Sequence, residues 1–126
     1  MIQVTLNDII TNNNLFREIH NKPMTARAAF KVARLIRELD KENEMFDKQR
    51  IEIIKQYAKR DEKGDMVEEN NQVIIDEDKL NEFEKEFNSL LETQVEVNAE
   101  KLNIEDLGDI QLTPQQTMSL EKFINE

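Results

Sequence analysis

Apolar residues recur at spacings of three and four through residues 26–60, a run of 35 positions without Gly or Pro. That period predicts one long amphipathic helix over residues 25–60, with Pro23 closing the preceding segment and Thr25 as N-cap. Taking Ala29 as heptad position a puts Ala29, Ile36, Asn43, Arg50 and Tyr57 at a, and Val32, Leu39, Phe46 and Ile53 at d. Seven of these nine are apolar or aromatic, so the pattern reads as a coiled-coil-like seam interrupted at Asn43 and Arg50.

The remaining pattern is shorter in wavelength. Ile2, Val4 and Leu6 alternate with polar residues and predict a strand, followed by helical pieces with Asn7 as N-cap and a break at Asn12, Asn13 and Asn14. "DEKGD" supplies a turn, and Met66-Val67 and Val73–Ile75 flank Asn70-Asn71 as a hairpin would. Asp76, Glu77 and Asp78 open a second helix, residues 77–92, whose stripe is Leu80, Phe83, Phe87, Leu90 and Leu91. Val95, Val97 and Ala99 alternate as a strand, and Gly108 breaks the chain before a short strand at 110–112. Thr113, Pro114 and Gln116 form a helix start, with Met118, Leu120, Phe123 and Ile124 facing inward. These elements predict an α+β, mainly helical fold in a single domain, 1–126: a long antiparallel helical hairpin, short terminal helices and a small β-sheet. The pieces are an N-terminal strand and short helix (1–24), the long helix, a hairpin linker (61–76), the second helix, short strands (93–112) and a C-terminal helix (113–126). The sheet draws on residues 2–6, 73–75, 94–99 and 110–112.

The two helices of the hairpin differ in length. At 1.5 Å per residue the first spans roughly 54 Å and the second about 24 Å, so the second covers the region of Phe46, Ile53, Ile54 and Tyr57 only. A wet apolar seam would forfeit about 1.5–3 kcal/mol per large side chain. The first half of the long helix therefore needs a terminal helix or a second copy of the chain as cover. Val32, Ile36, Leu39, Asn43, Phe46 and Arg50 are accordingly candidate partner-binding residues. In a monomer Arg50 turns outward to water or meets Glu86 of the second helix; in a symmetric antiparallel dimer paired Asn43 residues set the register instead.

Charge adds an asymmetry. The net charge of −10 divides into +4 over residues 1–60 (12 basic, 8 acidic) and −14 over residues 61–126 (5 basic, 19 acidic). Asp76, Glu77, Asp78, Glu82 and Glu86 form a candidate acidic surface able to stand in for phosphates. Arg27, Arg34, Lys41, Lys48 and Lys55, seven apart, form a basic ridge on the outer face of the long helix. In an acidic chain with no aromatics interleaved for base stacking, the ridge reads as a solubilising face, and direct nucleic-acid binding is not expected. The chain has no cysteine, which fits a reducing compartment. Neither a signal peptide nor a membrane-spanning run is expected.

Candidate chemistry is sparse. The single histidine, His20, lacks a metal or catalytic context and reads as a helix-end residue. "DEKGDMVEEN" has Lys63 where a calcium loop needs Asp or Asn. No phosphate-binding, dinucleotide or nucleophile motif occurs, so no catalytic residue, metal site or cofactor is assigned and an enzyme is not expected.

The order of "HNKPMTARAAFKVARLIREL", "EKGD", "FEKEFNSLLETQVEVN" and "LTPQQTMSLEKFI" resembles a family of small proteins of tailed phages and prophages of low-GC Gram-positive bacteria. The resemblance implies a viral setting, in the host cytoplasm or the virion, and carries over no catalytic residue. The expectation is a non-enzymatic accessory or assembly protein that binds a phage or host protein through its helical hairpin. The alternative is an acidic inhibitor of a host nucleic-acid-binding or defence enzyme.

Overall fold

The computed structural model describes residues 1–125. Alternating Ile2 and Val4 form the buried side of strand β1 (Ile2–Thr5), and Thr5 turns the chain into helix α1 (Leu6–Thr11). The Thr5 hydroxyl accepts from the Asp8 N–H at 3.1 Å while the Asp8 carboxylate accepts from the Thr5 N–H at 2.9 Å, a reciprocal cap that moves the N-cap from Asn7 to Thr5. The Asn triplet does break the helix: α2 (Asn13–His20) follows Asn12. Asn12 is buried, and its amide donates to the Asp8 carbonyl at 2.8 Å and the Ser119 carbonyl at 3.0 Å. Helix α3 (Ala26–Tyr57) starts at Thr25, whose hydroxyl accepts from the Ala28 N–H at 3.3 Å.

After α3 come the short strands β2 (Glu68–Glu69) and β3 (Gln72–Val73), a 3-10 turn at Glu77–Lys79, helix α4 (Leu80–Leu91) and strand β4 (Gln94–Val97). The chain then forms β5 (Leu102–Asn103), α5 (Ile104–Leu107), α6 (Pro114–Leu120), a 3-10 turn at Glu121–Phe123 and β6 (Ile124–Asn125). Helix makes up 60% of the structure, so the fold is α+β and mainly helical. Among the described residues no helix is long and apolar enough to cross a membrane.

The chain packs as two compact units: Met1–Asn43 with the described residues from Thr93 onward, and Glu44–Glu92. The boundary falls inside α3. In the first unit β1 pairs antiparallel with β4, Ile2 opposite Val97 and Val4 opposite Val95, and β5 pairs in parallel with β6. Ile2, Ile19, Leu35, Leu102, Leu120 and Phe123 are completely buried, and the Phe16 and Phe123 rings meet edge to face at 5.1 Å. The first half of α3 is thus covered within the chain. Ile9 of α1 and Phe16 of α2 face Ile36, Leu39 and Asn43 across a cavity of only 220 Å³. The buried side of α3 here is Ala28, Val32, Leu35 and Leu39, with Ala29 exposed. Several elements cover this helix, so its dry stripe is wider than a two-helix seam and adds the residues preceding each a position.

The expected single sheet is instead three separate two-stranded pairs. Residues 110–112 form no strand, and the terminal segment supplies β6 in their place. The C-terminal helix stops at Leu120, and Met118 is exposed rather than inward, because it lies about 200° around the helix from buried Leu120.

In the second unit α3 ends three residues before the expected Arg60. The chain turns extended there, Ala58 bridging Ile75 and Arg60 bridging Met66. The Arg60 guanidinium donates to the Lys55 carbonyl at 3.0 Å, satisfying one of the last helical acceptors. Asp61 closes the following turn, its carboxylate accepting from the Lys63 and Asp65 N–H groups, with Gly64 at φ 84°. Asn70 and Asn71 have φ of 53° and 65°, the two left-handed residues that a type I′ hairpin turn between β2 and β3 requires. Phe46 meets Phe87 (6.0 Å between centroids) and Tyr57 meets Phe83 (6.2 Å), so α4 runs antiparallel to this part of α3, as expected.

Candidate functional site

The residues assigned to a partner-binding seam divide by heptad position. Val32, Leu39 and Phe46, all at d, are 2%, 3% and 8% exposed and belong to the chain's own cores. Ile36, Asn43 and Arg50, all at a, are half-buried. Asn43 donates its amide to the Asn13 side chain at 3.4 Å, and Arg50 turns outward to Asp47 on its own helix at 3.7 Å instead of reaching Glu86. These six residues form no continuous open surface.

The acidic residues are partly engaged in structure. The Asp76 carboxylate accepts from the Asp78 N–H at 3.1 Å and starts the 3-10 turn that carries exposed Glu77 and Asp78. Glu82 is exposed and Glu86 half-buried. Interaction with Glu86 is the main influence that raises the Tyr57 phenol above its ordinary pKa, and burial and the charges of Glu86 and Glu82 push the same way. The basic ridge residues are all exposed; Lys41 pairs with Glu38 at 2.9 Å and Lys55 with Glu52 at 3.9 Å. His20 is the exposed last residue of α2.

An open concavity lies elsewhere, in the first unit. It is a groove of 780 Å³ bounded on one side by Arg27, Phe30, Lys31 and Arg34 of α3. Met1, the Asn98–Glu100 turn after β4, Asn103 and Asp106 form the rest. Phe30 is 73% exposed and Met1 70%, two large apolar side chains left wet in one groove. Helical geometry dictates this. Phe30 lies about 140–200° around α3 from Ala28, Val32, Leu35 and Leu39, while Arg27 and Arg34 lie within about 60° of it.

The wall opposite α3 is held rigidly. Lys31 Nζ bonds Asp106 Oδ2 at 2.9 Å with both side chains less than one-fifth exposed, and the same oxygen accepts from the Asn103 N–H at 2.8 Å. The Asn103 N–H and then Lys31 hold the Asp106 carboxyl below its ordinary pKa against the opposing effect of burial; the charges of Lys31 and Arg27 add to the lowering. Lys31 is thereby committed to structure, whereas Arg34 has no ion-pair partner among the described residues. The groove presents a bare aromatic ring between two exposed guanidinium groups.

Phe30 is the residue that the sequence reading passed over, although its signal was there. In the frame with Ala29 at a, Phe30 falls at b, an outward position next to Arg27 and Arg34 at f. A groove of this make-up offers no nucleophile paired with a base, and among the described residues no group of three or more His, Asp or Glu side chains is arranged to hold a metal ion. What it offers is contact: an aromatic anchor, cations for carboxylates and amides at the rim. No protein-family model, curated protein or solved structure matches the chain.

Proposed function

We propose that the protein is a non-enzymatic binding protein that takes a protein partner on the outer face of α3 around Phe30, in the phage setting its sequence resembles. The observation that carries this reading is the 73% exposure of Phe30 between Arg27 and Arg34. A bare Phe forfeits about 1.5–3 kcal/mol of burial that a partner would recover, and aromatic and Arg residues dominate the energetics of protein interfaces. The d residues of the helical seam are already covered, so binding through α3 uses the face opposite that seam. By the same reasoning the protein acts as a single chain: Asn43 has Asn13 as its partner and is not needed to register a dimer. Light scattering should give a mass near 14.9 kDa at every concentration.

Affinity capture from infected host cells, run in parallel with wild type and Phe30→Asp, tests the reading. A protein held by wild type and lost by the variant, with unchanged circular dichroism, supports it. Equal capture by both contradicts it.

A further inference from the structure

We infer that the groove around Phe30 binds an acidic segment of its partner, an apolar side chain of that segment lying on Phe30 and Met1 between carboxylates that meet Arg27 and Arg34. This rests on the protein-binding reading above and names the partner's chemistry. Three cations and two carboxylates line the groove, but the pairing among them is uneven. Asp106 is bound to Lys31 at 2.9 Å and to the Asn103 N–H at 2.8 Å, which leaves Glu100 as the one acidic group to set against two exposed guanidinium groups. The excess of cations continues the basic ridge of α3, to which Arg27 and Arg34 belong, on a chain whose net charge is −10.

Guanidinium groups bind carboxylates bidentately, and those bonds are about twice as strong as neutral ones. Arg27 and Arg34 flank Phe30 at i−3 and i+4, so a segment with an apolar residue between acids places carboxylates on both sides of the ring. Asn98, exposed on the opposite rim, offers an amide to the segment's peptide groups. Seven of the ten lining residues are polar or charged, beside two wet apolar side chains, which suits a peptide segment better than a small apolar molecule buried in a hydrophobic cleft.

The other anionic guest with aromatic faces is a single strand of nucleic acid, and its charge weighs against it. A polyanion several Debye lengths long meets the −10 field of the whole chain. Two or three carboxylates within about 8 Å of the arginines interact chiefly with those arginines.

The test is a displayed library of random short peptides, selected on the full wild-type chain and counter-selected on Phe30→Asp, with synthetic copies of the winners titrated at low and moderate salt. The expected winners carry an aromatic or Leu residue flanked by Asp or Glu. Their affinity should fall about tenfold, equivalent to 1.4 kcal/mol, with Arg34→Glu, and fall as salt rises. Winners that need Phe30 but show no excess of acid and no response to Arg34→Glu overturn the acidic-segment assignment while leaving protein binding in place. A library that yields no Phe30-dependent peptide overturns both. A labelled single-stranded oligonucleotide that outcompetes the winners, and is itself lost with Arg34→Glu, reassigns the groove to nucleic acid.

Discussion

The two units are built from the same long helix and differ in how dry they are. In the first, nine large side chains, Phe123, Leu35 and Leu102 among them, are under 2% exposed. In the second none reaches that level: Ala58, Phe46 and Ile53 are 5%, 8% and 8% exposed, and α4 contributes no buried residue at all. A helix packed by strands and helices on several sides buries a full stripe, whereas two helices alone leave the flanks of their stripe wet. The second unit is held by contacts of short range: the Phe46, Phe83, Phe87 and Tyr57 rings, the Arg60 and Asp61 caps, and the Asn70-Asn71 turn. The candidate groove belongs to the well-packed unit, which holds Phe30, Arg27 and Arg34 on a fixed scaffold.

Core truncations separate the units most sharply. Phe123→Ala removes a completely buried ring that packs on Phe16 and should cost about 3–5 kcal/mol in denaturant unfolding. Phe46→Ala, in the wetter unit, should cost about 2 kcal/mol, below the range for a fully buried Phe. Equal losses would remove the contrast. Asn12→Ala should follow at about 1–3 kcal/mol, because it removes the buried amide that donates to the Ser119 carbonyl, while the Asp8 carbonyl keeps the Asn12 backbone N–H.

The units should also fail at opposite ends of the pH scale. In the first, burial would raise the Asp8 carboxyl, but its bonds to Lys122 and Thr5 outweigh that, so Asp8, like Asp106, titrates below the ordinary carboxyl value of 3.8. Stability from a depressed carboxyl is present above the unfolded pKa and lost as pH falls through the folded one, so the first unit weakens in acid below about pH 4. Tyr57 in the second unit is raised above 10.0, and its contribution, present below that pH, is lost as pH rises through the folded value. Side-chain methyl signals followed by NMR from acid to alkali should show acid loss beginning in residues 1–43 and alkaline loss beginning in residues 44–92. Asp106→Asn and Tyr57→Phe should each flatten the corresponding limb. The smallest effect is at the hairpin turn: Asn71→Gly at φ 65° should change stability by less than about 1 kcal/mol, read as a small shift in the denaturant midpoint.

Much of this order was legible in the sequence wherever local chemistry decides. Thr113, Pro114 and Gln116 form the expected cap, with the Thr113 hydroxyl accepting from the Gln116 N–H at 3.1 Å, and Asn70-Asn71 make the expected turn. The d positions of α3 are buried as the heptad required. What the period could not reveal was how many elements would share the helix. That number turned Ala28 and Leu35 inward and left Ala29 outside. The pairing of β5 with β6 was equally hidden, since two-residue strands joined across twenty residues leave no alternation to read. Phe30 sits at an outward b position, so the period that marks the seam assigns it no partner.

The most direct measurement of the central proposal, that the well-packed unit presents Phe30 as the binding face, is site-specific photo-crosslinking in cells that produce the protein. A photoreactive residue replaces Phe30 in one chain and Ile51, an exposed apolar residue of the second unit, in another. The account predicts a discrete protein adduct from position 30 and none from position 51. The same adduct from both positions, or adducts from position 51 alone, would contradict it.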